Sequence, residues 1–353
     1  MRAAVLRGGT VEVRETADPV PGTGELLVRT LACAICASDL HFMDNPDADA
    51  DDDTGLSHYD AGADVVMGHE YCVEVVDYGP GCQRTFPIGT RISSIPALVR
   101  ADGVRVIGQA PDAPGGFGEY FVLTEGLAKR VETDLPSELV SVSDAIAVGW
   151  SYTSRAAVTT KEVPLIIGLG AIGLSAVASL KRMGIGPIVA VDFVASRREL
   201  ALQMGADVVV DPAQVSPYAA WREIAFGSPD PVRDVMGLLD LKKCVVFECV
   251  GIPGVLDQIV KGCEPGTRIF SAGGAPEGDH LHTMTAKRKG LNFQFGGGPS
   301  ITHWNEAFDE VTSGRLDVAP MVGRIIGLDD VPSGLDDARD ASGPARIVVT
   351  PGR

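Results

Sequence analysis

Two short runs hold residues suited to metal-centred chemistry. Cys36-Ala37-Ser38-Asp39-Leu40-His41 offers a thiol, a hydroxyl, a carboxylate and an imidazole, and Gly68-His69-Glu70 adds a second imidazole and carboxylate. A thiolate and an imidazole are good zinc ligands, and a catalytic zinc takes three protein ligands while keeping one position open. Taken singly, a Cys or a His is more often packed in a core. Cys33 and Cys36 form a C-x-x-C. No second such pair and no His pair lies near enough to complete a zinc finger, so that spacing carries little by itself.

A third run points to a dinucleotide. Gly168-Leu169-Gly170-Ala171-Ile172-Gly173 is a G-x-G-x-x-G that follows an apolar strand and opens a helix. In that setting Gly168 permits the tight turn, Gly170 lets a pyrophosphate approach the backbone, and Gly173 lets helix and strand pack closely. The helix N-terminus attracts the anion. Asp192 closes the next strand, where a carboxylate accepts hydrogen bonds from the adenosine ribose hydroxyls. The same charge repels a 2′-phosphate, so NAD is favoured over NADP. Arg197 and Arg198 follow closely, within reach of the adenosine end.

These runs need two kinds of scaffold. The N-terminal part alternates short Val/Ile-rich segments with Gly and Pro (Glu25–Arg29, Cys72–Val76 and Tyr120–Leu123), the pattern of a barrel-like all-β unit. From about Pro164 apolar strands alternate with amphipathic helices. Pro164–Gly168, Ile188–Asp192, Val208–Val210, Cys244–Glu248, Arg268–Ser271 and Leu291–Phe295 are six strand candidates. Ile172, Ala176, Leu180 and Met183 recur at helical spacing, and Arg197–Met204 reads as a second helix capped by Gly205. Six strands with intervening helices predict a doubly wound parallel sheet. After about Gly298 the pattern is mixed again and ends in the strand-like Arg346–Val349.

The ordered set of motifs resembles the zinc-containing medium-chain dehydrogenases over essentially the whole chain. It comprises Pro21–Val28, Cys36–His41, Gly68–Glu70, Ile88–Ile92, Gly116–Tyr120, the glycine fingerprint and Asp192. The fold implied is α/β: a GroES-like, mainly β catalytic domain plus a Rossmann domain with a doubly wound parallel six-stranded sheet. The expected boundaries are 1–152 and 298–353 for the two parts of the catalytic domain, with 153–297 between them as the NAD-binding domain.

The activity implied is hydride transfer between a primary or secondary alcohol and NAD. By the resemblance Cys36 and His69 are the first two zinc ligands, and Ser38 and His41 relay the alcohol proton. Asp39 orients His69, and Glu70 is a carboxylate behind the metal that can exchange with its water. Asp144 matches the position of the third ligand. The alternative makes Asp144 a helix N-cap, in which case Glu70 serves as the ligand. The expected cofactor-binding set is Gly168, Gly170, Ala171, Ile172, Gly173, Asp192, Arg197, Val250 and Ala272.

The sequence departs from the family in two places. Ser151-Tyr152 stands where a His-Ala or His-Gly pair is common. Ser93–Phe117 contains no cysteine, where many relatives carry four that bind a structural zinc. One zinc per chain, catalytic, is therefore expected.

Bulk properties narrow the class further. The 353 residues are 45% hydrophobic and 22% charged, which suits a globular chain of two domains. The net charge of −17 and the lack of a basic patch argue against nucleic acid. No apolar run approaches the roughly 20 residues that span a bilayer. The N-terminus lacks the apolar core of a signal peptide. Seven cysteines without a disulfide framework fit reduced thiols, so a cytoplasmic enzyme without a membrane partner is expected. The family implies a homo-oligomer, dimer or tetramer. Asp44–Asp64, with eight aspartates and no Lys or Arg, reads as a solvated loop. Phe42, Phe86 and Trp150 flank motif segments, as pocket lining or as core. A polyol or sugar dehydrogenase shares the same chemistry, and a zinc-free quinone or enoyl reductase shares the fold. A binding protein without turnover is the reading from another class.

Overall fold

The computed structural model describes residues 1–44, 62–232, 243–275 and 278–352. Most of the acidic run read as a loop, residues 45–61, lies outside them. The chain forms two compact units: Met1–Asp144 with Phe308–Gly314 and Met321–Arg353, and Ala145–Ala307 with Arg315–Pro320.

The first unit contains strands β1 (Arg2–Arg7), β2 (Thr10–Glu15) and β3 (Glu25–Ala34), helix α1 (Ala37–Asp44), and strands β4 (Val65–Val66), β5 (Glu70–Tyr78) and β6 (Arg91–Ser94). Strands β7 (Ala97–Arg100), β8 (Gly103–Val106), β9 (Tyr120–Thr124) and β10 (Ala128–Arg130) and helix α2 (Ser137–Ser141) follow. The second unit runs α3 (Ser143–Ala156), β11 (Glu162–Ile167), α4 (Ala171–Arg182), β12 (Val189–Val191), α5 (Ala195–Gln203), β13 (Val208–Val210) and α6 (Pro217–Phe226). It continues with β14 (Lys243–Glu248), α7 (Val255–Gly262), β15 (Arg268–Ser271), α8 (Thr283–Lys289), β16 (Asn292–Phe295) and α9 (Ile301–Thr312). The chain returns to the first unit in β17 (Val322–Ile326), α10 (Val331–Ala338) and β18 (Arg346–Val349).

In the first unit the main sheet runs β10-β6-β5-β3-β18-β17, with β9 also paired to β3. Alternating burial in β3 and β5 puts Leu26, Val28, Val73 and Val75 into one core with Ile92, Phe121 and Leu123. Phe42 and Phe86 belong to that core. Where relatives carry the cysteine lobe, this chain forms the antiparallel β7–β8 hairpin. Ion pairs tie it down: Arg100 reaches the buried Glu25 at 2.8 Å and Asp112 at 3.1 Å, and Arg105 reaches Asp102 at 2.9 Å.

The second unit holds a six-stranded parallel sheet in the order β13-β12-β11-β14-β15-β16. Its central strands are apolar on both faces because helices cover both, and Val163, Leu165, Val189, Val191, Val246 and Ile269 are all buried. Trp221 of α6 is buried against this sheet and donates its indole N–H to the Val163 carbonyl at 2.9 Å. The strand order reverses between β11 and β14, the crevice where open α/β sheets bind ligands. The units divide at 144/145 rather than at the expected 152/153, since α3 bonds to residues of the second unit. Trp150 Nε1 donates to Glu306, and Ser151 Oγ pairs with His303 Nδ1 at 3.0 Å.

Candidate active site

Strand pairing brings Cys36, His69 and Glu70 together. In the antiparallel β3–β5 ladder Ala34 faces Glu70, so the turn that follows β3, carrying Cys36, comes beside His69 and Glu70. Gly68, with φ +98°, makes the bend into His69. A Cβ there would stand 2.8 Å from the Phe117 amide nitrogen and 2.9 Å from Cys33 Sγ. Cys33 is thus a packing residue, and burial pushes its thiol pKa well up.

Among the described residues, one group of three could hold a metal: the ligand atoms of Cys36, His69 and Glu70 all lie within 4.8 Å of one another. Soft thiolate, imidazole and carboxylate in that space fit zinc.

The surrounding hydrogen bonds orient these ligands. Asp39, buried in the first turn of α1, accepts the Cys36 amide on Oδ2 at 2.8 Å. Its Oδ1 lies 3.2 Å from His69 Nδ1, which leaves Nε2 for a metal. Ser38 Oγ is 3.1 Å from that Nε2. Burial lowers the His69 pKa, but Asp39 and then Cys36 outweigh it and hold the imidazole well above its ordinary range. A bound cation would take the place of that proton. His41 is exposed on α1, one turn beyond Ser38, so the two share a helix face.

Glu70 is fully buried and both of its oxygens are used. Arg346 of β18 donates to them from Nε at 3.0 Å and Nη2 at 2.8 Å, and that Nη2 also approaches Cys36 Sγ at 3.7 Å. The β3–β18 pairing, Val348 with Ala34, delivers this arginine. Sequence reasoning missed Arg346. Its only local signal is a cation opening an apolar strand, and its partner lies 276 residues away. Asp144 stands half-buried in the first turn of α3, outside the group of three. Its charge is near enough to Tyr71 to add to the rise that burial causes in the tyrosine pKa.

The glycine run forms the turn between β11 and α4. Gly168 has φ +91°, and a Cβ on Gly173 would run into the Gly168 carbonyl oxygen. A Cβ on Gly170 would meet nothing within 4 Å. Gly170 is the N-cap of α4 and no side chain caps the helix there. Open space in front of uncapped amides, opened by Ala171, Ile172 and Gly173, fits an anion such as a pyrophosphate.

Asp192 is held on both oxygens, by the Leu169 amide and by the Val194 amide, each at 2.8 Å. Arg197 Nη1 is 4.0 Å from Asp192, and Arg197 Nε is buried without a hydrogen-bond partner among the described residues. Arg198 is engaged by the Asp192 and Phe193 carbonyls and by Asp211.

Across the switch point, the ends of β14, β15 and β16 border a cavity of about 240 Å³ lined by Glu248, Gly251, Ser271, Gly273 and Phe295, among others. Val250 and Ala272 are its chain neighbours. Glu248 organises them, accepting the Val250 and Gly251 amides and the Ser271 hydroxyl at 2.7, 2.8 and 2.9 Å. Sequence reasoning missed Glu248 too, although a carboxylate closing a buried parallel strand was there to be read.

Residues 22–133 match the alcohol dehydrogenase GroES-like domain, and residues 171–313 match the zinc-binding dehydrogenase model. An L-threonine 3-dehydrogenase of Alteromonas mediterranea is 26% identical, with 92% of each chain covered. An (R,R)-butanediol dehydrogenase of Neisseria gonorrhoeae is 25% identical over 92% of this chain and 91% of that one. The crystal structure of 2R,3R-butanediol dehydrogenase from Bacillus subtilis superposes with a TM-score of 0.81, at 22% identity over 99% of both chains. With its β-rich unit, its doubly wound unit and both family models matched in order, the chain belongs to the zinc-dependent medium-chain dehydrogenases.

Proposed function

We propose that this enzyme oxidises a primary or secondary alcohol with NAD and reduces the aldehyde or ketone in reverse, using one zinc held by Cys36, His69 and Asp144. The observation that carries the reading is the convergence of Cys36, His69 and Glu70 within 4.8 Å, with Ser38 against His69. When bound there, zinc supplies the Lewis acidity that lowers the alcohol pKa, and NAD supplies the hydride-accepting carbon. Asp39 keeps the His69 ring turned with Nε2 towards the metal. Ser38 takes up the alcohol proton and His41, exposed one turn further on, carries it to solvent. Arg346 holds Glu70 behind the ligands by both carboxylate oxygens.

Asp192, fixed by two backbone amides, accepts the ribose hydroxyls and disfavours a 2′-phosphate, which supports NAD over NADP. A diol or polyol substrate is the second reading, favoured by the butanediol dehydrogenases that match nearly the whole chain. All seven cysteines are free, as suits a reducing cytoplasm, and no helix among the described residues is long and apolar enough to cross a membrane. The assembly proposed is a dimer or tetramer.

The test is elemental analysis of the wild type, Asp144→Asn and Glu70→Gln beside NADH formation on a panel of simple alcohols, diols and polyols. One zinc per wild-type chain, largely lost in Asp144→Asn, is the expected result. Loss in Glu70→Gln alone would transfer the third ligand to Glu70. A wild type without zinc that forms no NADH would sink the function.

A further inference from the structure

The cavity at the ends of β14–β16 has an unusual wall. Among the described residues β16 is the edge strand of the sheet, paired with β15 alone. It ends at Phe295, which lines the cavity and stacks on Phe293 with ring centroids 6.3 Å apart. Gly296, Gly297 and Gly298 follow, all exposed and without side chains to pack. Glycine loses the most conformational freedom on ordering, so a run of three at a strand end needs something else to hold it.

Helix α3 provides it. Tyr152 is buried, and its hydroxyl donates to the Gly296 carbonyl. Burial pushes the Tyr152 pKa up, against Arg155, so the hydroxyl stays a donor. Arg155 lies over the Tyr152 ring, 4.6 Å from its centroid. Its guanidinium packs so close to Gly296 that a Cβ there would stand 2.5 Å from Nη1 and from Nη2. Arg155 Nε and Nη2 are buried and have no hydrogen-bond partner among the described residues. Such a group costs stability rather than adding it.

The topology says which ligand half this wall faces. With the pyrophosphate at the β11–α4 turn and the adenosine ribose at Asp192 beyond β12, the remaining half of a dinucleotide runs the other way. It passes over the ends of β14, β15 and β16.

We infer that Tyr152 and Arg155 are positioning residues that fix Gly296 and Phe295, and through them the pocket for the nicotinamide half of the cofactor. This rests on the NAD reading above. The pair acts on β16 and not on the glycine turn, so its effect should be confined to one half of the ligand.

The experiment measures dissociation constants for NADH and for ADP-ribose, which lacks the nicotinamide, in wild type, Tyr152→Phe and Arg155→Met. Thermal midpoints are recorded without ligand. Tyr152→Phe keeps the ring and removes one hydrogen bond. NADH is expected to bind about fivefold more weakly to it, with ADP-ribose within about twofold of wild type. Arg155→Met is expected to weaken NADH similarly while its midpoint stays level or rises, because two buried N–H groups without hydrogen-bond partners among the described residues have been removed. Unchanged NADH affinity in both variants would overturn the inference. So would equal losses for NADH and ADP-ribose, or a lowered midpoint that accounts for the loss. A wild type that binds neither ligand would overturn the NAD reading itself, and this inference with it.

Discussion

The metal-ligating group and the glycine turn are built by opposite means. The first is made of charged and polar side chains drawn together from three strands and a helix, each buried oxygen or nitrogen answered by another. Asp39 serves Cys36 and His69, and Arg346 serves Glu70. The second is made of backbone: what matters at Gly168, Gly170 and Gly173 is that nothing projects. One site therefore fails when a side chain is removed, and the other fails when a single carbon is added. The difference follows from the ligands. A divalent cation needs donor atoms at fixed angles, whereas a pyrophosphate needs several amides presented at once without obstruction.

The largest effect should come from breaking the buried ion pair on the metal side. Arg346→Met removes both hydrogen-bond donors from the buried Glu70, and should cost about 3–5 kcal/mol of unfolding free energy in the metal-free protein. Arg346→Met combined with Glu70→Gln should recover most of that loss in a denaturant titration. A single variant as stable as wild type would mean that the Arg346–Glu70 pair does not hold the fold together.

Next comes Asp39→Asn, which keeps size but weakens the orientation of His69. Zinc affinity should fall about 10–100-fold, read by competition with a chromophoric chelator. An unchanged affinity would show that β-strand pairing alone places the ring.

The smallest expected stability effects test the backbone-built site. Gly173→Ala, with its Cβ against the Gly168 carbonyl, should lose about 1–3 kcal/mol and bind NADH poorly. Gly170→Ala, in open space, should melt with the wild type and still lose NADH affinity. If both alanines behaved alike, the turn would not be discriminating between packing and ligand approach.

How much was legible beforehand divides along the same line. The glycine fingerprint, Asp192 and all six parallel strands were readable because each is a local pattern: apolar runs of strand length, a turn, a helix start. Val208–Val210 and Arg268–Ser271 have the bounds read from sequence, and the others shift by a residue or two at their ends. The run from Cys36 to His41 was also readable as a unit, since Cys36 immediately precedes the helix that carries Ser38, Asp39 and His41.

What escaped were the partners. Glu248 binds amides on its own turn and a hydroxyl on the next strand, and its role depends on where that turn goes. Ser151 meets a histidine from α9, His303. No spacing rule connects those two positions.

By itself the sequence determined the class of each unit and the place of the glycine turn between β11 and α4. These depend on periodicity and on residues a few positions apart. Only the tertiary structure decided that Glu70 is clamped by Arg346 and that it lies within 4.8 Å of Cys36 and His69. It also decided that Tyr152 reaches across to Gly296. Contacts of that kind are set by strand register and helix packing. Register brings Ala34 opposite both Glu70 and Val348, and so gathers an acid and a base from opposite ends of the chain around one thiol.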